Sequence, residues 1–254
     1  MISHVIVSGE GPSDLGGSRS GEALSYNCDF QKGPFFELIY RMLIKYLPSW
    51  NSELFETNPL ATAYVSHGYL SQQAKNIAKG KGKFKFAGKS SHKNNAGKFK
   101  QSRELAKLAT GNSFQLAIYF HDTDGNNAER STYSNLQPDI VSAVNDGFKK
   151  GGHDAGLAMV PKPTSEAWLI CNCKSTPYQG CTELEISLSG NDRSPENAPK
   201  KVLAAFLGVE NCTCEILSDE VQKLDLDKLD MPSFNQFRDD LKVSIKNICG
   251  NVEV

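Results

Sequence analysis

Apolar positions along the chain follow two periods in turn, one of about two residues and one of about three and a half. Residues 2–8 (ISHVIVS) form a short β-branched run that stops at Gly9-Glu10-Gly11-Pro12-Ser13-Asp14, which predicts a strand closing in a tight loop. The loop continues through a Gly/Ser-rich stretch to about residue 32, and loops of that length in compact domains tend to be functional or mobile. After Pro34, a good first helical position, Phe35, Leu38, Ile39, Met42, Leu43, Tyr46 and Leu47 recur at helical spacing until Pro48. Residues 60–65 predict a second strand, 71–78 a short helix and 98–109 another helix with Leu105 and Leu108 inward.

Residues 114–120 (FQLAIYF) are the most strand-like segment, and their near-continuous apolar character suits a central strand covered on both faces. They run straight into His121-Asp122-Thr123-Asp124-Gly125. A helix over 131–148 carries Ile140, Val141, Val144 and Phe148 on one stripe, and 155–160 predict a further strand closed by Pro161-Lys162-Pro163. Thr164 is then the expected cap of a helix bearing Glu166 and Trp168, the latter read as a core anchor. Such alternation argues for an α/β fold with a mostly parallel sheet flanked by helices. Beyond about residue 190 only helical patterns remain, near 199–207, 214–224 and 233–248. The expected organisation is a core over 1–190, with a lysine-rich insertion at about 79–100, and a helical extension over 191–254 packed on it.

Composition adds limits. The 254 residues, 39% hydrophobic and 22% charged with mean hydropathy −0.41, are ordinary for a globular protein. No run approaches the ~20 apolar residues of a membrane span, and the start of the chain reads as a strand, so a cytoplasmic protein is expected. The seven cysteines are then expected as reduced thiols and not a disulfide framework, and the C-x-C spacing of the Cys171/Cys173 and Cys212/Cys214 pairs suits zinc poorly. A net charge of −1 hides segregation: ten basic residues lie between Lys79 and Lys107 against one acid, Glu104. Lys81, Lys83, Lys85, Lys89, Lys98 and Lys100, with Phe84 and Phe86 among them, resemble a surface that neutralises phosphates and stacks bases, while the alternative is a solvated face. His67 and His92 carry no readable signal.

Chemistry is expected on the loops after strands, where open parallel sheets bind ligands. Three such loops carry acids: Glu10 and Asp14, Asp122 and Asp124, and Glu166. Carboxylates as close as Asp122 and Asp124 repel unless a cation, a proton or water offsets them, though an Asx-turn is the plain alternative. Hard divalent cations take oxygen ligands, and two of them about 3.5–4 Å apart can stabilise the attacking and leaving oxygens of a phosphodiester displacement. Glu166 near a helix start is also favoured there electrostatically without any catalytic role. Lys162 and Lys200, with Lys201 beside it, are candidates to meet a phosphate. His121 is read as packing or hydrogen-bonding beside the site and not as the base.

The order strand, Gly-Glu-Gly-x-Ser-Asp, helix, then strand, Asp-x-Asp-Gly, resembles the Toprim domain, and more closely the small Toprim proteins related to the OLD (overcoming lysogenisation defect) nucleases of bacterial defence. Pro163-Thr164-Ser165-Glu166-Ala167-Trp168-Leu169 and Asn197-Ala198-Pro199-Lys200-Lys201 resemble later segments of the same proteins. The resemblance spans roughly residues 2–170 and departs from a minimal Toprim core at 15–32 and 79–100. It implies a two-metal site, magnesium or manganese, on Glu10, Asp122 and Asp124. Asp14 and Glu166 are added as candidate ligands and Lys162 as a catalytic candidate. It further implies a nuclease cutting DNA or RNA, as an effector of antiphage defence.

Two alternatives stand beside it. One is a non-catalytic Toprim-like subunit that binds nucleic acid or docks on an ATPase partner, since the chain has no phosphate loop of its own. The other is a haloacid-dehalogenase-like phosphatase, whose Asp-x-Asp would follow the first strand and leave Glu10 without a role. A homo-oligomer is compatible with each.

Overall fold

A computed structural model describes the chain except residues 12, 59, 81–91, 93, 124–132, 190–195 and 251–254. In chain order, the first elements are β1 (Val5–Gly9), β2 (Gly16–Ser18), β3 (Leu24–Tyr26), β4 (Phe30–Lys32), α1 (Pro34–Tyr46), α2 (Ser49–Thr57), β5 (Thr62–Ser66) and α3 (His67–Gly80). Then come α4 (Ala96–Gly111), β6 (Leu116–Phe120), α5 (Tyr133–Gly151), β7 (Gly156–Met159) and α6 (Glu166–Cys173). The chain continues with α7 (Leu184–Ser187), α8 (Pro199–Leu207), α9 (Cys214–Lys223) and α10 (Pro232–Cys249).

The main sheet has five strands in the order β3-β5-β1-β6-β7. β5, β1, β6 and β7 are parallel and β3 is an antiparallel edge. The expected mostly parallel α/β sheet flanked by helices, with C-terminal helices, is therefore what forms, and its antiparallel edge makes it mixed. β1 and β6 are buried along their whole length, as apolar strands covered on both faces must be. Successive side chains point to opposite faces, so Val5 and Val7 enter one core while Ile6 enters the other. One core holds α1 and α6 together with Leu203, Leu217, Val221, Phe234, Phe237 and Leu241 of the C-terminal helices. The opposite core is built from α3, α4 and α5 through Leu70, Leu105, Ala106, Ile140, Val144 and Phe148.

The order predetermines where a ligand can enter. From β1 the chain steps outward to β5, then returns past β1 to β6, so strand order reverses between β1 and β6. Strand ends at such a switch point diverge into a crevice. Gly9, the last residue of β1, is in contact with β6 there: a Cβ on it would stand 2.5 Å from the Phe120 carbonyl oxygen and 2.7 Å from Phe120 Cβ.

Three expectations need correction. The Gly/Ser-rich stretch after Leu15 is not one long loop: β2 pairs antiparallel with β4, and β3 extends the main sheet at β5. Short strands of small residues lack the apolar alternation that would reveal them. The cysteines are not all thiols, since Cys171 and Cys181 are joined in a disulfide with Cα atoms 5.3 Å apart. Cys173 instead donates to Glu220 Oε2 at 3.2 Å, and burial pushes its thiol up to about 12. Thr164 does not cap α6: Ser165 holds the cap position, without a side-chain capping bond, and the buried Thr164 hydroxyl has no hydrogen-bond partner among the described residues. The helix α2 was also not foreseen, because its polar sequence carries only Asn51, Ser52 and Phe55 as buried positions. Trp168 is fully buried, as expected of a core anchor, and its Nε1 donates to Ser233 Oγ at 3.0 Å. Among the described residues no helix is long and apolar enough to cross a membrane.

Candidate functional site

Parallel register determines which side chains meet at the switch point. Gly9 pairs with Phe120 across β1 and β6, so Glu10 emerges abreast of His121, with Asp122 one residue further out. His121 Nδ1 stands 2.5 Å from Glu10 Oε1, with the histidine side chain 10% exposed and the glutamate 37%. Burial pushes Glu10 up, but the bond and charge of His121, then Lys98 and His67, outweigh it and hold the carboxyl below its ordinary range. His121 is lowered, first by burial, with the Glu10 contact acting against it and Lys98 and His67 adding to it.

A second grouping forms around Asp14. The turn after β1 closes with Asp14 N donating to Gly11 O at 3.0 Å, and Gly11 takes a positive φ of 80°. A Cβ at Gly11 would fall 2.2 Å from Asp14 Oδ2, so the absence of a side chain lets the carboxylate fold back over the turn. From the loop after β7, Ser165 Oγ donates to Asp14 Oδ1 at 3.4 Å, and Ser165 N donates to Asp122 Oδ1 at 3.1 Å. Burial, and then the charge of Glu166, raise Asp14 to about 6 against the opposing pull of Lys200 and of bonds from Ser13 and Ser165. Glu166 is 2% exposed, its Oε1 has no hydrogen-bond partner among the described residues, and Lys200 Nζ is 3.8 Å from that atom.

The loop after β6 is tied to the loop after β7. Thr123 N lies 3.2 Å from Pro161 O and 3.1 Å from Pro163 O, and its hydroxyl donates to Pro163 O at 3.0 Å. This lacing holds Asp122 beside Ser165 although 43 residues separate them.

Loops after β1, β6 and β7 thus bring Glu10, Asp14, Asp122 and Glu166 to one edge of the sheet. Asp124 lies outside the described residues. So do Lys81, Lys83, Lys85 and Lys89, four of the six lysines of that segment from which a phosphate-neutralising surface was expected. Lys162 is half-buried on the loop after β7 and, among the described residues, forms no ion pair with these carboxylates. Lys200 reaches the site from the start of α8 with Lys201 exposed beside it, while Lys98 acts on Glu10 from the first turn of α4 and Lys100 faces outward. Sequence reasoning missed Ser165 and His67, and placed His121 beside the site without naming Glu10 as its partner. The position of Ser165 directly before Glu166, at the helix start, was the one available signal.

Among the described residues no three His, Cys, Asp or Glu side chains are gathered as a metal ion requires. The donor chemistry still suits a hard cation in two respects. Asp14 and Glu166 are buried like charges, and Glu166 keeps a buried oxygen without a hydrogen bond among the described residues. Buried carboxylates are costly unless a cation or a proton offsets them, and the exposed Lys200, 3.8 Å from Glu166 Oε1, supplies part of that offset.

No protein-family model, curated protein or solved structure matches this chain.

Proposed function

We propose that the cluster at the β1/β6 switch point is a magnesium or manganese centre that hydrolyses phosphodiester bonds in DNA or RNA, on a Toprim-like domain. The observation that carries this reading is the placement of four carboxylates on three strand-end loops at one edge of the sheet, one of them, Glu166, buried with an oxygen that has no hydrogen-bond partner among the described residues. Glu10, Asp14, Asp122 and Glu166, with Asp124, are the residues that would hold the cation. Bound there, it would supply a water of lowered pKa and charge stabilisation for a phosphate oxygen.

The chain's own groups divide the remaining work. His121 holds the Glu10 carboxylate through one of its oxygens. Ser165 orients two acids at once, Asp14 through its hydroxyl and Asp122 through its amide. Lys200, 63% exposed and next to the buried Glu166, is placed to meet a phosphate at the rim.

The test is cleavage of plasmid, linear DNA, tRNA and other RNA by the purified chain with manganese, compared with the Glu10→Ala and Asp122→Ala variants. The reading expects cutting that needs manganese and falls by about 100-fold or more in either variant. Intact substrates in every arm exclude a stand-alone nuclease. Cutting that appears only when an ATPase partner is added supports the docking-subunit alternative.

A further inference from the structure

We infer that His67 and Lys98 form a phosphate-binding subsite on the β5 side of the carboxylate centre, so that a nucleic-acid strand crosses the sheet edge from these two residues toward Lys200. The inference rests on the reading above and adds the path of the substrate.

Three neighbouring strands supply the placement. β5 pairs with β1 with Ser66 opposite Gly9, and β1 pairs with β6 with Gly9 opposite Phe120. The next residue on each strand is therefore His67, Glu10 and His121, three titratable side chains abreast along one edge. α4 brings a cation over the same edge. Gln101 donates to Ser71 Oγ at 2.7 Å and accepts from Tyr119 OH at 2.5 Å, which seats its face of α4 between α3 and β6. Lys98 lies one turn before Gln101 on that face. Its charge and that of His67 reach both Glu10 and His121.

The surroundings suit an anion that arrives from solvent. His67 and Lys98 are half-buried, and Gly68 beside His67 is exposed with open space at its Cβ position. Ser66 Oγ accepts from Tyr69 N at 3.2 Å, so α3 begins at this level, and the amides of its first turn add partial positive charge. Glu10 is the carboxylate facing these groups, and it would repel a phosphate. Its proposed role as a cation ligand removes that objection, and this ties the subsite to a metal-loaded centre.

On the far side, Lys200 stands at the rim beside Glu166. Cationic groups flanking a line of acids on both sides match a chain of phosphates, in which the reacting one sits over the acids and its neighbours sit on the cations. A small phosphomonoester would use only one flank.

The experiment is fluorescence anisotropy with a labelled 20-nucleotide single strand, as DNA and as RNA, in calcium to load the centre without cutting, across a salt series. Lys98→Gln and His67→Ala are expected to weaken binding about fivefold to tenfold, and Lys98→Gln to reduce the slope of log affinity against log salt by about 0.7, the contribution of one single-strand phosphate. Lys149→Gln, an exposed lysine at the C-terminal end of α5, serves as the control for general loss of charge and is expected to bind like the parent chain. Melting curves check that each variant is folded. Unchanged affinity and slope in both folded variants, an equal loss in Lys149→Gln, or no binding of either probe by the parent chain overturns the inference. Manganese-dependent cutting alongside unchanged binding in the variants would remove this subsite and leave the nuclease reading standing. Binding that depends on Lys98 and His67 without any cutting would do the reverse.

Discussion

Glu10 Oε1 and His121 Nδ1 meet at 2.5 Å because two parallel strands end in step, Gly9 opposite Phe120. The buried imidazole stands against a carboxylate that is more than one-third exposed, and the contact fixes where that carboxylate sits. Groups that orient a ligand in this way commonly change metal affinity or activity by about 10–100-fold when lost. His121→Gln is expected to weaken manganese-dependent cleavage within that range while the melting temperature changes little. A loss confined to stability, with cleavage per folded molecule unchanged, would show that His121 only packs.

Asp14 supplies a pH dependence whose sign is determined. Its folded value is raised, from 3.8 to about 6, by burial and by Glu166. A raised carboxyl favours the folded state while protonated, so this contribution is whole below about pH 3.8 and is lost as pH climbs through about 6. The difference corresponds to about 3 kcal/mol at neutral pH. In metal-free protein, Asp14→Asn is therefore expected to be more stable than the parent at pH 7.5 and equal to it near pH 4. Adding manganese is expected to stabilise the parent more than the variant. Chemical denaturation at the two pH values, with and without manganese, checks both signs.

Gly147 is where α5 touches α4. A Cβ there would stand 1.9 Å from Ser102 Oγ and 2.4 Å from the Phe99 carbonyl oxygen, which belongs to backbone and cannot swing aside. Gly147→Ala is expected to cost about 1–3 kcal/mol by overpacking, despite alanine's better helix propensity. Gly97→Ala, in the same helix pair with open space around its Cβ position, is expected to be neutral or slightly stabilising. Urea melts of the two variants separate packing from propensity.

The Cys171–Cys181 disulfide closes a short loop, with a sequence separation of 10, between the end of α6 and the segment leading into α7. Removing it is expected to cost about 2–3 kcal/mol. The Cys171→Ser/Cys181→Ser pair should lower the melting temperature, and reductant should lower that of the parent but not of the variant. Peptide mapping under non-reducing conditions should recover residues 171 and 181 in one linked species. Recovery of both as alkylated thiols would return the chain to the fully reduced state that its composition implies.

Local pattern was enough for most elements. The helix after Pro34, the buried runs that became β1 and β6, and the three C-terminal helices announce themselves through spacing that is repeated within ten to twenty residues. Glu10, Asp14, Asp122 and Glu166 could be singled out for the same reason, since each follows a strand whose end is visible in the sequence. β2, β3 and β4 could not, because three-residue strands of mostly small or polar side chains carry no period. The disulfide was hidden as well: the spacing of Cys171 and Cys181 does not reveal that the chain doubles back after α6.

What the sequence determined alone is therefore most of the longer elements and the acids at their ends, both of which depend on neighbours along the chain. Tertiary structure decided which of those acids have company. Strand order placed β1 between β5 and β6, and register put His67, Glu10 and His121 level. The Thr123 bonds to the loop after β7 carried Ser165 to Asp122 and Asp14. Those relations join residues up to 151 positions apart. They arise only when two separate apolar faces are buried on one sheet, a condition of the whole chain and of no single segment of it.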